Sequence, residues 1–141
     1  MFSYRHGFHA GNHADVLKHV TLVALLQYLT QKDTPLTVID THAGAGLYRL
    51  DGDYANTSGE ASEGILRLLK QKTEDPTINA YRALIAQFNS GNALSQDTKV
   101  YPGSPFITQK LLRYDDRLRL FELHPNDHRF LEGNVEQLRV N

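Results

Sequence analysis

The chain has 141 residues, of which 40% are apolar and 22% charged, and these values fit one folded domain and exclude an intrinsically disordered chain. Fifteen basic and sixteen acidic residues leave a net charge of −1, so overall charge predicts no attraction to nucleic acid or membranes. Cysteine is absent, which excludes disulfides, thiolate metal ligands and a cysteine nucleophile. The longest apolar run, 20–29, is too short to cross a bilayer and no secretory signal precedes it, so we expect a cytoplasmic location.

The first half of the chain contains one predicted helix and one predicted strand. Apolar residues recur at helical spacing over 14–31, and Asp15 stands near the positive end of that helix. After a turn, the segment 36–40 is short, β-branched and apolar on both faces. This pattern predicts a strand of a parallel sheet that is buried on both sides.

The segment 51–100 is polar and has helical periodicity. Residues 57–60 resemble a capping box, and Asp75 stands where it would cap a second helix that begins with proline. We interpret 51–100 as a helical insertion. The main domain then consists of 1–50 and 101–141.

The last forty residues predict alternating helices and strands. Ser104 is placed as the N-cap of a helix that runs to about 113, and a strand follows at 118–122. A short helix is expected at 125–131, and a third strand is expected to begin at 137–141. Strands that alternate with helices predict an α/β, Rossmann-like fold with a partial parallel sheet.

Candidate ligand-binding residues follow the two main strands. Ligands bind at the carboxyl ends of parallel strands, where Gly44 and Gly46 lie in the loop 40–46 and Glu122 ends the next strand. The loop lacks the third glycine of the G-x-G-x-x-G pattern that binds a pyrophosphate. A cofactor without phosphates therefore fits better.

Two polar groups indicate which cofactor that is. The Glu122 carboxylate is able to accept hydrogen bonds from both hydroxyls of a ribose. The helix that begins at Ser104 offers N–H groups and a hydroxyl to a carboxylate. Together they describe an aminoacyl nucleoside, and S-adenosylmethionine is the common one, although each residue taken singly also fits an ordinary turn, strand end or helix cap.

The N-terminal segment 4–19 concentrates histidines, cations and aromatic residues. Arg5 and its aromatic neighbours suit a tail that contacts RNA phosphates and bases. A metal site formed by His9, His13 and His19 is a weaker interpretation, since no H-E-x-x-H spacing occurs, and we expect no metal. A histidine-rich surface tail without a ligand is the third interpretation.

Five motifs resemble the bacterial 23S ribosomal RNA adenine-N6 methyltransferase family, which is also associated with the use of external DNA as a nutrient. They are SYRH at 3–6, FHAGNHADVLKH at 8–19, DTHAGAG at 40–46, YPGSP at 101–105 and ELHP at 122–125. The resemblance covers the whole chain in order. It implies a class I methyltransferase fold with an inserted helical subdomain.

The resemblance also implies roles for particular residues. Tyr4 would contact the RNA substrate as the N-terminal tail closes over the site. Contacts with S-adenosylmethionine are implied for five side chains, namely Lys18, His19, His42, Ser104 and Glu122.

One departure from the family pattern concerns catalysis. The Asp-Pro-Pro-Tyr motif, whose carboxylate aligns the exocyclic amine of a flipped adenine, is absent from the sequence. We therefore expect the chain to be the N-terminal, cofactor-binding half of such an enzyme, without catalytic residues and inactive alone. We also expect an exposed apolar sheet edge that favours dimerisation. The alternatives are a non-catalytic nucleic-acid-binding module and, less favoured, a histidine-based metal hydrolase.

Overall fold

The computed structural model describes residues 6–50, 59–89 and 99–140, with side chains described up to residue 137. A short 3-10 helix at His6–Phe8 comes first. The α-helices are α1 (His13–Leu29), α2 (Glu60–Glu63), α3 (Ile65–Lys70), α4 (Pro76–Gln87), α5 (Ser104–Leu111) and α6 (Pro125–Val140). The strands are β1 (Thr37–Asp40), β2 (Leu47–Arg49), β3 (Val100–Pro102) and β4 (Arg117–Leu120).

Strands β1 and β4 form a parallel pair, in which Thr37 lies opposite Arg117 and Asp40 lies opposite Leu120. The polypeptide between them includes helices, which is the usual form of the crossover that two parallel strands need. The predicted α/β class and the parallel pairing of the two main strands are confirmed. Both strands end at the same edge, so the residues after Asp40 and after Leu120 are brought together.

Strands β2 and β3 form an antiparallel pair that the sequence did not predict. Leu47 lies opposite Pro102, and Arg49 lies opposite Val100. The two strands are short, and one contains proline, so neither gives the alternating pattern typical of a strand. Their pairing places the start of α5 beside the glycine loop, where Gly103 donates a 2.7 Å backbone hydrogen bond to the Gly46 carbonyl.

Three predictions about local structure are wrong. The segment 137–141 does not begin a strand, because α6 continues to Val140 and no helix-stopping residue intervenes, while Asn141 lies outside the described residues. Gly103, not Ser104, is the N-cap of α5. Strand β1 is not buried on both faces, since Ile39 is 59% exposed.

The exposure of Ile39 has a simple cause. Burial alternates along both β1 and β4, so one face of the pair packs inward and the other faces solvent. In the part of the chain that the structure describes, nothing covers this outer face. It carries four exposed residues, Thr37, Ile39, Arg117 and Arg119.

The core lies between α1 and the helices of the 59–89 segment. Asn12 caps α1 by accepting a 2.8 Å hydrogen bond from the Asp15 amide, and Asp75 caps α4 as predicted, accepting from the Thr77 and Ile78 amides. Helix α2 begins after Gly59, and residues 57 and 58 of the expected capping box lie outside the described residues. The buried apolar cluster consists of Ala10, Val23, Leu50, Ala61, Ile65, Leu69, Tyr81, Leu84, Ile85, Tyr101 and Ile107.

None of the described helices combines the length and the apolar character needed to cross a membrane.

Candidate cofactor cleft

A cleft of about 490 Å³ lies where β1 and β4 end, a volume within the ~300–1,000 Å³ range of small-molecule sites. Residues from the 3-10 helix, α1, the loops after β1 and β4, β2 and the starts of α5 and α6 line it. These residues are His6, Asp15, Lys18, His19, Leu22, His42, Ala43, Gly44, Tyr48, Gly103, Ser104, Glu122, His124 and Asp127. The cleft therefore lies at the position that a parallel sheet provides for ligands.

Glu122 joins the two strand ends across the cleft. Its Oε1 accepts a 2.8 Å hydrogen bond from the Gly44 amide, and its Oε2 accepts one of 2.9 Å from the His124 amide. A 3.0 Å backbone hydrogen bond from Ala43 to the Phe121 carbonyl fixes the same junction. A carboxylate oxygen has two lone pairs, so each oxygen of Glu122 retains acceptor capacity for a ligand.

The glycine loop is shaped by close contacts with aromatic rings. Gly44 has φ +68°, and a Cβ added there would lie 2.2 Å from the Tyr48 hydroxyl oxygen. Gly46 has φ +88°, and a Cβ there would lie 2.5 Å from Phe106. Gly44 lines the cleft, whereas Gly46 packs behind the loop, so the two glycines have different surroundings.

Tyr48 forms one wall of the cleft, with its hydroxyl turned toward the glycine loop. The Ala45 amide donates a 3.1 Å hydrogen bond to that hydroxyl. The ring of Tyr48 meets His6 edge-on, with 5.2 Å between ring centroids. Burial raises the pKa of Tyr48 well above its ordinary value, so the hydroxyl remains neutral.

Ser104 uses its hydroxyl within the protein. The Oγ donates a 2.5 Å hydrogen bond to Oδ2 of Asp40 at the end of β1. Its proton is therefore unavailable to a bound anion, contrary to the expectation that the hydroxyl donates to a carboxylate. The Ser104 oxygen remains able to accept a hydrogen bond from a cationic group.

A buried carboxylate, Asp15, lies at the back of the cleft and is 2% exposed. Its Oδ2 accepts hydrogen bonds from His6 Nε2 at 2.8 Å and from the Gly11 amide at 3.0 Å. Burial acts to raise the pKa of Asp15, but the hydrogen bond from His6 and the charges of His19 and His6 outweigh burial and lower it. Asp15 is thus a stable anion that ties residues 6–11 to α1.

His19 is also buried, at 4% exposure, and both of its ring nitrogens face protein groups. Nε2 lies 3.4 Å from Asp15 Oδ1, and Nδ1 lies 3.0 Å from the Tyr81 hydroxyl and 2.9 Å from the Tyr101 hydroxyl. Burial lowers the pKa of His19 to about 4, although Asp15 acts in the opposite direction. The ring is therefore neutral at pH 7.

Six of the seven predicted cofactor residues line this one cleft: Lys18, His19, His42, Gly44, Ser104 and Glu122. The Lys18 side chain is 66% exposed, and its Nζ lies 4.0 Å from Asp15 Oδ1. His42 is exposed and pairs with the Thr41 hydroxyl at 2.9 Å. Tyr4 and Arg5, the predicted RNA contacts, lie outside the described residues.

Among the lining residues with polar side chains, sequence reasoning did not identify five as part of the site: His6, Asp15, Tyr48, His124 and Asp127. Asp15 was interpreted as a residue at a helix start, because the pattern does not reveal its burial. The signal for Asp127 is its place in the first turn of the helix that follows Glu122, a turn that begins at the same sheet edge.

The histidines of the N-terminal segment do not converge on one point. His9 Nδ1 pairs with Glu60 at 2.9 Å, while His19 faces Asp15 and two tyrosines. Within residues 6–50, 59–89 and 99–140, no group of three or more histidine, aspartate or glutamate side chains is arranged to hold a metal ion.

An α/β fold with a glycine loop after one strand, an acidic residue after its parallel partner and a cleft between them defines a Rossmann-like protein. A family model described as "Ribosomal RNA large subunit methyltransferase D, RlmJ" matches residues 33–140. The chain therefore belongs to this ribosomal RNA large subunit methyltransferase family.

Individual relatives agree with this assignment. The chain is 44% identical over 137 residues to ribosomal RNA large subunit methyltransferase J of Escherichia coli K12, covering 97% of this chain and 48% of that protein. It is 44% identical over 134 residues to the protein of the same name from Haemophilus influenzae, covering 95% and 47%. The chain thus spans about half the length of the curated relatives it matches.

A solved structure is also similar. The crystal structure of a protein from Legionella pneumophila str. Philadelphia 1 aligns with a TM-score of 0.75 and 42% sequence identity, covering 87% of this chain and 43% of that one. The Rossmann-like fold agrees with this neighbour.

Proposed function

We propose that this chain forms the S-adenosylmethionine-binding part of a cytoplasmic methyltransferase that modifies the N6 atom of an adenine in 23S ribosomal RNA. The family membership supports the RNA methyltransferase class. The observation that carries the cofactor assignment is the convergence of six predicted ligand residues in one cleft at the sheet edge. S-adenosylmethionine supplies a methyl group activated by a positively charged sulfur.

The nucleoside end of the cofactor fits Glu122. The two backbone amides that bind this carboxylate use one lone pair of each oxygen, and the remaining lone pairs are available to the two ribose hydroxyls. The same amides hold the carboxylate in place, so little side-chain entropy is lost on binding.

The amino-acid end of the cofactor fits the opposite side of the cleft. Lys18 offers an exposed ammonium group to a carboxylate. The Ser104 oxygen, with Asp40 behind it, offers acceptors to an ammonium group. A zwitterion bound in this way would pair each of its charges with an opposite charge.

The RNA substrate is assigned to the N-terminal segment. His6, the first residue that the structure describes, lines the cleft and begins a 3-10 helix. Tyr4 and Arg5 directly precede His6 in the sequence, and an aromatic ring next to a guanidinium group suits a base and a phosphate. We therefore propose that these two residues contact the RNA.

Cofactor binding is tested by titration calorimetry of the 141-residue chain with S-adenosylmethionine. We expect saturable binding of one molecule, and we expect Glu122→Gln to weaken it roughly tenfold, because a charge-assisted hydrogen bond becomes a neutral one. Glu63→Gln is the matched control, since Glu63 is exposed on α2 and does not line the cleft. Absence of binding by the unaltered chain, or equal loss in both variants, would overturn the assignment.

Methyl transfer is a separate test. Because the sequence lacks the Asp-Pro-Pro-Tyr motif, we infer that this chain alone does not align the adenine amine with the methyl group. We expect no transfer of tritiated methyl from S-adenosylmethionine to unmodified ribosomal RNA by this chain, even where calorimetry detects binding. Clear transfer by the purified chain would contradict this part of the proposal.

A further inference from the structure

We propose that Tyr81 and Tyr101 are positioning residues of the cofactor cleft, whose hydroxyl groups hold the His19 ring in the tautomer that carries its proton on Nε2. Neither tyrosine lines the cleft, so each acts through His19. The tautomer assignment stands on the buried geometry alone. Its effect on ligand binding rests on the proposed function.

The geometry joins three elements in one buried cluster. Tyr81 comes from α4, Tyr101 from β3 and His19 from α1. The two hydroxyl oxygens lie 2.6 Å apart, and both lie within 3.0 Å of His19 Nδ1. Both tyrosine side chains are fully buried, so water does not compete for these hydrogen bonds.

The count of hydrogen-bond donors selects one tautomer. A neutral imidazole has one N–H donor and one acceptor nitrogen. If the proton were on Nδ1, the lone pair of Nε2 would face the Asp15 carboxylate at 3.4 Å, which is a repulsive contact. With the proton on Nε2, one hydroxyl donates to Nδ1 and the second donates to the first, and the N–H rather than a lone pair faces the carboxylate.

The His19 ring is neutral, as a choice between two tautomers requires. Burial is the largest effect on its pKa and lowers it, Asp15 and Asp40 act to raise it, and His6 and Lys18 act to lower it. Burial also raises the pKa of Tyr81 and Tyr101, so both hydroxyls keep their protons and remain available as donors.

The cluster reaches the cleft through Asp15. Oδ1 of this carboxylate faces His19, and Oδ2 accepts from His6 and from the Gly11 amide. With its proton on Nε2, the His19 ring presents a positive N–H edge to Oδ1 rather than a lone pair, and this electrostatic contact helps to orient the carboxylate that holds residues 6–11 beside the cleft. Helix α4 and strand β3 in this way influence a ligand site that they do not contact.

The tautomer is tested directly by long-range ¹H–¹⁵N NMR of the histidine rings in the unaltered 141-residue chain at pH 7. The His19 signals are assigned by their absence from a His19→Gln variant. We expect an acceptor-type Nδ1 and a protonated Nε2. A proton on Nδ1, or on both nitrogens, would overturn the proposal, and this measurement does not require any tyrosine variant to fold.

The double variant Tyr81→Phe/Tyr101→Phe then tests the positioning role, because in either single variant the remaining hydroxyl lies within 3.0 Å of Nδ1 and is able to donate to it. Tyr114→Phe is the control because Tyr114 is fully exposed. Loss of both donors to Nδ1 should raise the NMR-measured pKa of His19 and weaken S-adenosylmethionine binding roughly fivefold, the equivalent of one hydrogen bond. An unchanged His19 pKa in the double variant would contradict the positioning role. If no chain binds the cofactor, the proposed function fails while the NMR result still decides the tautomer.

Discussion

At the scale of the residue, the backbone conformation and the surroundings of Gly44 both disfavour any residue with a side chain. Its φ of +68° is unfavourable for other residues, and a Cβ would collide with the Tyr48 hydroxyl. We expect Gly44→Ala to lower the free energy of unfolding by about 2 kcal/mol, measured by urea denaturation. The control is Gly133→Ala in α6, where the space around the added Cβ is open. The control should raise stability by about 0.5–1 kcal/mol because alanine favours helix, and equal effects would contradict this explanation.

His19 gives a second prediction, which concerns pH. Its folded-state pKa of about 4 lies below the unfolded value of ~6.5, so between these values the unfolded chain binds the proton and the folded chain does not. The contribution of neutral His19 to the free energy of unfolding should therefore be complete above pH 6.5. It should decrease as the pH falls toward 4, by on the order of 3 kcal/mol. Denaturation measured from pH 7 to pH 4 should show this loss. His19→Gln should lack it, and an unchanged slope in that variant would count against the assignment.

Some site residues are predictable from sequence because topology alone brings them together. Glu122 and His42 follow two strands, and parallel strands end at a common edge, so their proximity follows once the strands are recognised. Asp15 is different. Its burial depends on His6 and Gly11, which contact it from a segment without helical periodicity, and no local pattern encodes such a contact.

At the scale of the element, Arg113 and Asp116 join the turn before β4 to the end of α1. Arg113 donates to the carbonyls of Thr30, Lys32 and Thr34. Asp116 accepts from the Leu36 amide at 2.8 Å and from the Arg113 amide at 2.7 Å. This junction sets the register in which β1 meets β4.

Asp116→Asn tests the junction. The hydrogen bond and charge of Arg113, with the two backbone amides, lower the pKa of Asp116. The resulting stability is present above the unfolded pKa of ~3.9 and is lost as pH falls through the lower folded value. We expect the variant to melt at a lower temperature than the unaltered chain at pH 7, with the difference shrinking at the most acidic pH. Asp115→Asn is the control, and equal melting of both variants would argue against the junction.

Local patterns predict long helices and β-branched strands better than short or late elements. Helix α1 and strand β1 were predicted within two residues at each end, because α1 has a helical repeat of apolar residues, β1 is a β-branched run and a turn separates the two. The end of α6 was taken for a strand, since Leu138 and Val140 suit either structure and only continuation of the preceding helix decides between them. The β2–β3 pair depends on contacts across fifty residues, which no short window contains.

At the scale of the whole molecule, the free edge of β1 and the outer face of the β1–β4 pair beside it should control self-association. Within the described residues β1 has one partner strand, so its other edge has unpaired backbone groups beside the exposed Ile39. Such edges pair with other chains. Dimerisation therefore stays a prediction for this chain.

Ile39→Lys tests this prediction by sedimentation equilibrium. The unaltered chain should associate more strongly as its concentration rises, and the variant should associate roughly tenfold more weakly, because it loses an apolar contact and gains repulsion. Leu17→Lys removes an apolar residue of α1 that is at least as exposed as Ile39 and should leave association unchanged. If the unaltered chain stays monomeric at every concentration, the outer face of the β1–β4 pair is not an interface between copies.

The parallel pairing of β1 with β4 also has a consequence in time. Thr37 and its partner Arg117 are eighty positions apart, so at ~5–20 residues per second a ribosome needs about 4–16 s to make the second strand after the first. The helices between them have already been synthesised by then, and their core around Val23, Ile65 and Tyr81 needs neither strand. Strand β1 therefore has no partner strand until β4 has been synthesised. The rate of translation determines for how long its unpaired edge is accessible to other nascent chains.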